Sequence, residues 1–178
     1  MAAPERAHTA ELSQSELGEL RRFLEQAFDG DFAEEDWEHT LGGVHVIVRD
    51  DAGLAAHASV VQRRLAHRGI GIRTGYVEAV AVRRERRGAG LGALTMSAAE
   101  QIVRAAYDLG ALSAGEVSPF YERRDWVRWA GPSWVLSPDG PMRTEEEDGG
   151  VFVLTTPTSP ELDFEGALAC DWRPGDVW

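Results

Sequence analysis

The chain has 178 residues, a length that fits one domain built around a single core. With 43% hydrophobic and 27% charged residues it has the composition of a soluble globular protein, and no run of about 18 apolar residues suggests a membrane span. A formal net charge of −12 argues against duplex nucleic acid as a partner, and suits either a cationic small molecule or simple solubility.

Residues 1–10 lack the apolar centre of a secretion signal, so they are expected to be flexible and the protein cytoplasmic. A lone Cys170 can form no internal disulfide. It also has no cysteine partner for a metal, and the five histidines lack close ligand spacing, so no metal site is expected. Every one of the 18 basic residues is arginine, which excludes lysine Schiff-base chemistry.

In chain order, Ser13 and Glu16 fit a capping box. Leu17, Leu20, Leu24, Ala27 and Phe28 then recur at helical spacing until Asp29-Gly30. The acidic stretch 31–39 reads as a loop and short helix, closed by Gly42-Gly43. Residues 44–49 read as a strand, 50–53 as a hairpin turn, 54–65 as a long strand and 73–82 as another. A helix follows with Leu91, Leu94, Ala98, Ile102, Ala105 and Leu109 on one face, stopped by Gly110. Residues 111–117 read as a short strand, and Ser118-Pro119 opens a helix through Arg124. Residues 126–136 and 151–155 read as antiparallel strands around a polar loop, 137–150. The tail, 160–178, has little regular pattern. The order predicts an α/β fold around a mixed, mostly antiparallel sheet flanked by helices, as one domain over 1–178.

The segment Tyr76-Val77-Glu78-Ala79-Val80-Ala81-Val82 runs into Arg87-Gly88-Ala89-Gly90-Leu91-Gly92. A strand entering a glycine-rich turn that opens a helix offers bare N–H groups and arginines to phosphates. It is no P-loop, since the Gly-Lys-Ser/Thr end is missing. Nor does it open the βαβ unit of a Rossmann fingerprint. Glycines serving only a tight strand–helix turn remain the plainer alternative. On an ideal strand Tyr76, Glu78, Val80 and Val82 share one face. An acid among apolar residues is a candidate general base, or else a structural partner of a nearby arginine.

This stretch resembles the acetyl-CoA motif of the GCN5-related N-acetyltransferase (GNAT) superfamily. Phe120-Tyr121-Glu122-Arg123-Arg124-Asp125-Trp126 resembles that superfamily's later Tyr…Gly-aromatic motif, with Asp125 in place of the usual glycine. Further motifs resemble the aminoglycoside 2′-N-acetyltransferases: Phe28-Asp29-Gly30-Asp31-Phe32, Asp36-Trp37-Glu38-His39, Gly75-Tyr76-Val77-Glu78 and Cys170-Asp171-Trp172-Arg173-Pro174-Gly175-Asp176-Val177-Trp178.

The resemblance implies a GNAT fold and transfer of the acetyl group of acetyl-CoA to the 2′-amino group of an aminoglycoside. The alternative is a GNAT enzyme acting on another amine, a cell-wall amino sugar or thiol precursor. It implies that the backbone of Val80, Ala81 and Val82 pairs with the pantetheine arm, on a strand splayed from its neighbour. Arg87, Gly88, Ala89, Gly90, Leu91 and Gly92 would hold the pyrophosphate. Glu78 would be the base, acting through water, with the terminal carboxylate at Trp178 sharing the role, and Tyr121 the acid. The cationic acceptor would meet Asp31, Glu78, Ala79, Ser113, Glu147, Asp176 and Trp178, the last as an aromatic face for a sugar ring. Within Glu145-Glu146-Glu147-Asp148 the contacting acid stays open. Trp37 and Trp172 are expected in core or interface packing, and His39, His45, His57 and His67 as satisfied structural histidines. A homodimer is compatible with the resemblance.

Overall fold

The computed structural model describes residues 3–114 and 118–178. They form two compact units, and neither is a continuous stretch of chain. The first comprises Met1–Val61 and Val77–Ile102, the second Gln62–Tyr76 and Val103–Trp178.

In the first unit, strand β1 (Glu5–His8) pairs antiparallel with β2 (Val44–Asp50), and β2 with the first part of β3 (Gly53–His67). Within the stretch 1–10, expected to be flexible, residues 5–8 are instead held in the sheet: Glu5, Arg6, Ala7 and His8 are in register with Ile47, Val46, His45 and Val44. Helix α1 (Gln14–Ala27) starts at the predicted capping box. The Ser13 hydroxyl accepts the Glu16 N–H at 3.2 Å, and the Glu16 carboxylate accepts the Ser13 N–H at 2.8 Å. Its apolar stripe buries Leu20, Phe23 and Leu24 against Trp37, Ile47, Leu54 and Ala81. Trp37 comes from α2 (Glu34–Thr40). A side chain at Gly43 would collide with the Val60 carbonyl 2.2 Å away, so only glycine lets the chain enter β2 here. The second part of β4 (Ile70–Val82) leads through a short 3₁₀ turn, Arg84–Arg86, into α3 (Leu91–Ala106).

In the second unit the strand order is β6-β9-β5-β4-β3-β10-β7-β8. Here β5 is Leu109–Ser113, β6 Val127–Arg128, β7 Ser133–Ser137, β8 Gly140–Arg143, β9 Val151–Thr155 and β10 Leu168–Asp171. The β4/β5 and β10/β7 pairs are parallel, the β10/β3, β5/β9, β6/β9 and β7/β8 pairs antiparallel, as expected of a mixed, mostly antiparallel sheet. Helix α4 (Ser118–Glu122) follows β5.

Four expected boundaries differ. Gly110 does not stop a helix; α3 ends at Ala106 and Gly110 lies inside β5, where a Cβ would meet Val103 at 2.9 Å, Leu154 at 3.1 Å and Trp126 at 3.2 Å. The predicted strand 126–136 is two strands with different partners, β6 and β7. Between them a Cβ on Gly131 would lie 2.0 Å from the Gly166 carbonyl, so the tail packs directly on bare backbone. The tail also holds a strand, β10, and the polar loop 137–150 holds β8 and a 3₁₀ turn, Glu145–Glu147. Of the predicted strand 111–117, residues 115–117 lie outside the described residues.

Candidate active site

The predicted residues divide between the two units. Asp31, Glu78, Ala79, Val80, Ala81, Val82 and the turn from Arg87 to Gly92 belong to the first; Ser113, Tyr121, Glu147, Asp176 and Trp178 belong to the second.

The turn of the first unit is built to leave room. Gly88 and Gly90 have φ of 79° and 81°, and a Cβ on either would meet nothing within 4 Å. A left-handed backbone with an open flank lets a ligand come against bare peptide groups. The N–H groups of Leu91 and Gly92, at the start of α3, have no carbonyl one turn earlier to bond and carry the positive end of the helix dipole. Among the neighbouring arginines, Arg83 hydrogen-bonds Asp50 at 2.6 Å, Arg86 forms an ion pair with the same carboxylate at 3.1 Å, and Arg84 bonds Asp29. Arg87 instead donates to the carbonyls of Ala27 at 3.1 Å and Val82 at 3.4 Å, and to no carboxylate among the described residues. Its charge is therefore left for an anion. A larger cleft of about 360 Å³ in this unit, lined by Arg22, Arg83 and Glu85 among others, contains none of the predicted residues. It is a poorer candidate for phosphate, because its Arg83 and Arg84 already have carboxylate partners.

The strand before the turn is not regular. Ala79 has φ of 48°, a left-handed residue within β4. For an L-residue other than glycine this costs roughly 1–2 kcal/mol. It interrupts the two-residue alternation, so the predicted shared face of Tyr76, Glu78, Val80 and Val82 is corrected: Tyr76 and Val77 are both buried, and Glu78, Ala79 and Val80 are all half-buried. The ladder between β4 and β5 covers Thr74, Gly75 and Tyr76 only, opposite Leu109, Gly110 and Ala111. Residues 80–82 lie beyond those paired residues.

In the second unit three predicted acceptor residues meet. The Ser113 hydroxyl donates to the Glu147 carboxylate at 3.0 Å. Glu147 lines a cleft of about 270 Å³ together with Glu146, Asp176, Thr144, Met142 and Trp172. Burial pushes the Glu147 carboxyl above its ordinary range, and the Asp176 charge pushes the same way, against the Ser113 hydroxyl. Asp148 is engaged elsewhere. It bonds Arg143 at 2.6 Å and the Ser133 N–H at 2.9 Å, and these bonds hold it well below the usual carboxylate range. Of the four acids 145–148, Glu146 and Glu147 line this cleft.

Trp178 is corrected. Its indole is 2% exposed and donates its N–H to Thr144 Oγ1 at 2.9 Å, so it offers no open aromatic face. It anchors the tail instead: its backbone N–H bonds Asp176 Oδ1 at 3.1 Å, and Arg173 bonds its backbone oxygen at 2.9 Å. The exposed ring at the cleft is Trp172, 48% exposed, while Trp37 is buried as expected. Asp31, exposed between α1 and α2, sits beside the stacked rings of Phe28 and Phe32.

Tyr121 is 6% exposed among Phe120, Trp126 and Phe152, and burial pushes its hydroxyl up to about 12. Asp125 takes φ of 67°, the left-handed conformation that the glycine of the motif would supply. Aspartate tolerates it better than most residues, so the turn survives the exchange. His67 is a satisfied structural histidine, 2.9 Å from the Ala167 carbonyl and 3.1 Å from the Asp163 N–H. Among the described residues no group of three or more His, Cys, Asp or Glu could hold a metal ion, and no helix is long and apolar enough to cross a membrane.

Residues 8–128 match the acetyltransferase (GNAT) domain family. Over 174 residues the chain is 50% identical to an aminoglycoside 2′-N-acetyltransferase of Mycolicibacterium fortuitum, covering 96% of this chain and 89% of that one. Among solved structures, the fold is similar to the GNAT family N-acetyltransferase YhbS of Escherichia coli in complex with CoA, with a TM-score of 0.63 at 12% identity over 96% of this chain and 91% of that one. It is also similar to a GNAT family acetyltransferase of Brucella melitensis in complex with acetyl-CoA, with a TM-score of 0.59 at 14% identity, covering 95% and 96%.

Proposed function

This chain belongs to the aminoglycoside 2′-N-acetyltransferase family of the GNAT acetyltransferases, and from that membership we propose that the turn from Arg87 to Gly92 holds the pyrophosphate of acetyl-CoA and that acidic side chains receive the drug's ammonium groups. The reaction is direct attack of the 2′-amine on the thioester carbonyl. The C–N bond forms, the C–S bond breaks, and the amine proton leaves by a base. The observation that carries this reading is the identity to a relative of that activity over nearly the full length of both chains.

The open flanks of Gly88 and Gly90, the first amides of α3 and the carboxylate-free Arg87 support a pyrophosphate site. The backbone of residues 80–82 lies beyond the β4/β5 ladder and suits an extended pantetheine arm that adds as a strand. Glu78 is the proposed base. Tyr121 is the proposed donor to the departing sulfur. Its hydroxyl at about 12 is far above an ordinary thiol near ~8.5, so its part is a hydrogen bond to the thiolate rather than complete transfer of a proton. Glu147, Asp176 and Asp31 supply negative charge for the ammonium groups, and the exposed Trp172 supplies an apolar face for a sugar ring.

The direct test is coenzyme thiol release with gentamicin or tobramycin beside a drug bearing a 2′-hydroxyl. Release is expected only with the 2′-amino drugs; none with any of them would end the reading. Glu147 adds a pH signature. Its carboxyl is raised, so it loses its charge before an ordinary carboxylate does as acidity increases, and KM for the drug is expected to climb on the acid side. In Glu147→Gln, KM should be about fivefold higher near neutral pH, where the drug is still cationic, and the acid-side climb reduced. A wild-type pH profile retained in the variant would remove Glu147 from the drug site.

A further inference from the structure

We propose that His57, itself held by His45, is a positioning residue for acetyl transfer: it grips the carbonyl of Ala79 and so fixes the left-handed turn of β4 beside Glu78.

A backbone carbonyl accepts hydrogen bonds and cannot donate them. The Ala79 carbonyl lies 2.9 Å from His57 Nδ1. Nδ1 must therefore carry the hydrogen, and in a neutral ring Nε2 is then an acceptor. His45 Nδ1 lies 3.0 Å from that Nε2, so it too must carry its hydrogen on Nδ1. His45 Nε2 is left to accept, and the Thr9 hydroxyl is 2.8 Å from it. Thr9 in turn accepts the Gly42 N–H at 2.9 Å. Every link points one way, from Gly42 through Thr9, His45 and His57 to Ala79.

Both rings are fully buried, at 0% exposure. Burial pushes His45 down to about 4 and His57 to about 3, so both are neutral near pH 7, as the chain of donors requires. Each ring carries its hydrogen on Nδ1, the less favoured nitrogen of a free histidine in water, and here the partner dictates it. The chain ends on the one residue of β4 with positive φ. That carbonyl joins the peptide between Ala79 and Val80, so the grip sets the direction of the strand on both sides: toward Glu78, the proposed base, and toward the backbone proposed for pantetheine. Two buried histidines spent on one carbonyl are explained if that carbonyl's direction governs catalysis. The inference rests on the proposed roles of Glu78 and residues 80–82.

The test compares His57→Leu, which removes the donor, with His57→Asn, whose amide nitrogen stands as many bonds from Cα as Nδ1 does. With a 2′-amino aminoglycoside at saturation and below both melting temperatures, kcat of His57→Leu is expected to fall about 10- to 100-fold. KM for the drug should stay nearly constant and His57→Asn should recover most of the loss. Equal kcat in His57→Leu and wild type, or equal loss in both variants, overturns the proposal. Nitrogen-15 spectra of the wild-type side chains read the tautomers without any turnover. Hydrogen on Nδ1 of both rings is expected at pH 7, and hydrogen on Nε2 of either overturns the proposal even if a variant fails to fold. If wild type releases no thiol with any 2′-amino drug, the assigned reaction fails instead, while the spectra still judge the hydrogen-bond chain.

Discussion

Replacing Glu78 by glutamine is expected to lower kcat for a 2′-amino aminoglycoside by about 10²- to 10⁴-fold. Glutamine keeps the shape and hydrogen-bonding reach of glutamate but cannot accept a proton from an ammonium group. The amine of the drug is largely protonated at neutral pH, and only its free form attacks a thioester. Acetyl-CoA affinity should change by less than about twofold, because the proposed coenzyme contacts come from backbone amides and Arg87. Steady-state thiol release across pH, with calorimetric titration of coenzyme, separates the two quantities. With the base gone, the remaining rate should climb with pH as the drug amine deprotonates by itself. Turnover equal to wild type across the pH range would remove Glu78 from that role.

The second large effect is expected at Gly90. Valine there must adopt φ near 81° and carries its methyl groups into space that holds no protein atom within 4 Å. If that space belongs to the pyrophosphate, acetyl-CoA affinity should fall by about 30-fold or more, since phosphate oxygens can no longer reach the first amides of α3. Backbone strain alone is controlled by Gly69→Val in the turn between β3 and β4, with φ of 77° and an equally open flank. Both variants should lose comparable thermal stability, on the order of 1–2 kcal/mol, but only Gly90→Val should lose coenzyme. Calorimetry with coenzyme A and thermal melting read the two effects separately. Equal coenzyme affinity in Gly90→Val and wild type would detach this turn from the phosphates.

The elements that could be read from the residues are those with a local cause. The capping box at Ser13 and Glu16 starts α1 where it was expected, because both bonds are made within four residues. The glycine turn and α3 follow from spacing, and the family motifs led to the GNAT fold. What could not be read depends on contacts distant in sequence. Gly110 looks like a helix stop, yet its bareness serves Val103, Leu154 and Trp126. The four acids 145–148 look alike until β5 brings Ser113 to Glu147 and the β7/β8 hairpin brings Arg143 to Asp148. The exchange of roles between Trp172 and Trp178 has the same origin. β10 ends at Asp171, so alternation no longer directs Trp172 inward, while Thr144 offers Trp178 a buried acceptor. The turn at Ala79 leaves no mark in composition, since alanine is not a residue that announces positive φ.

The histidine pair of the first unit also sets the fold's tolerance of acid. Both imidazoles titrate below the usual 6.5, His45 at about 4 and His57 at about 3, chiefly because burial disfavours a charged ring. In the unfolded chain the same rings take up protons near pH ~6.5. Unfolding therefore binds protons once the medium is more acidic than that. The stability supplied by the neutral pair is complete above pH ~6.5 and drains away as pH falls through about 4 toward about 3. Thr9, which directly follows β1, is bonded to His45 in the same hydrogen-bond chain and so links that loss to the N-terminal edge of the first unit.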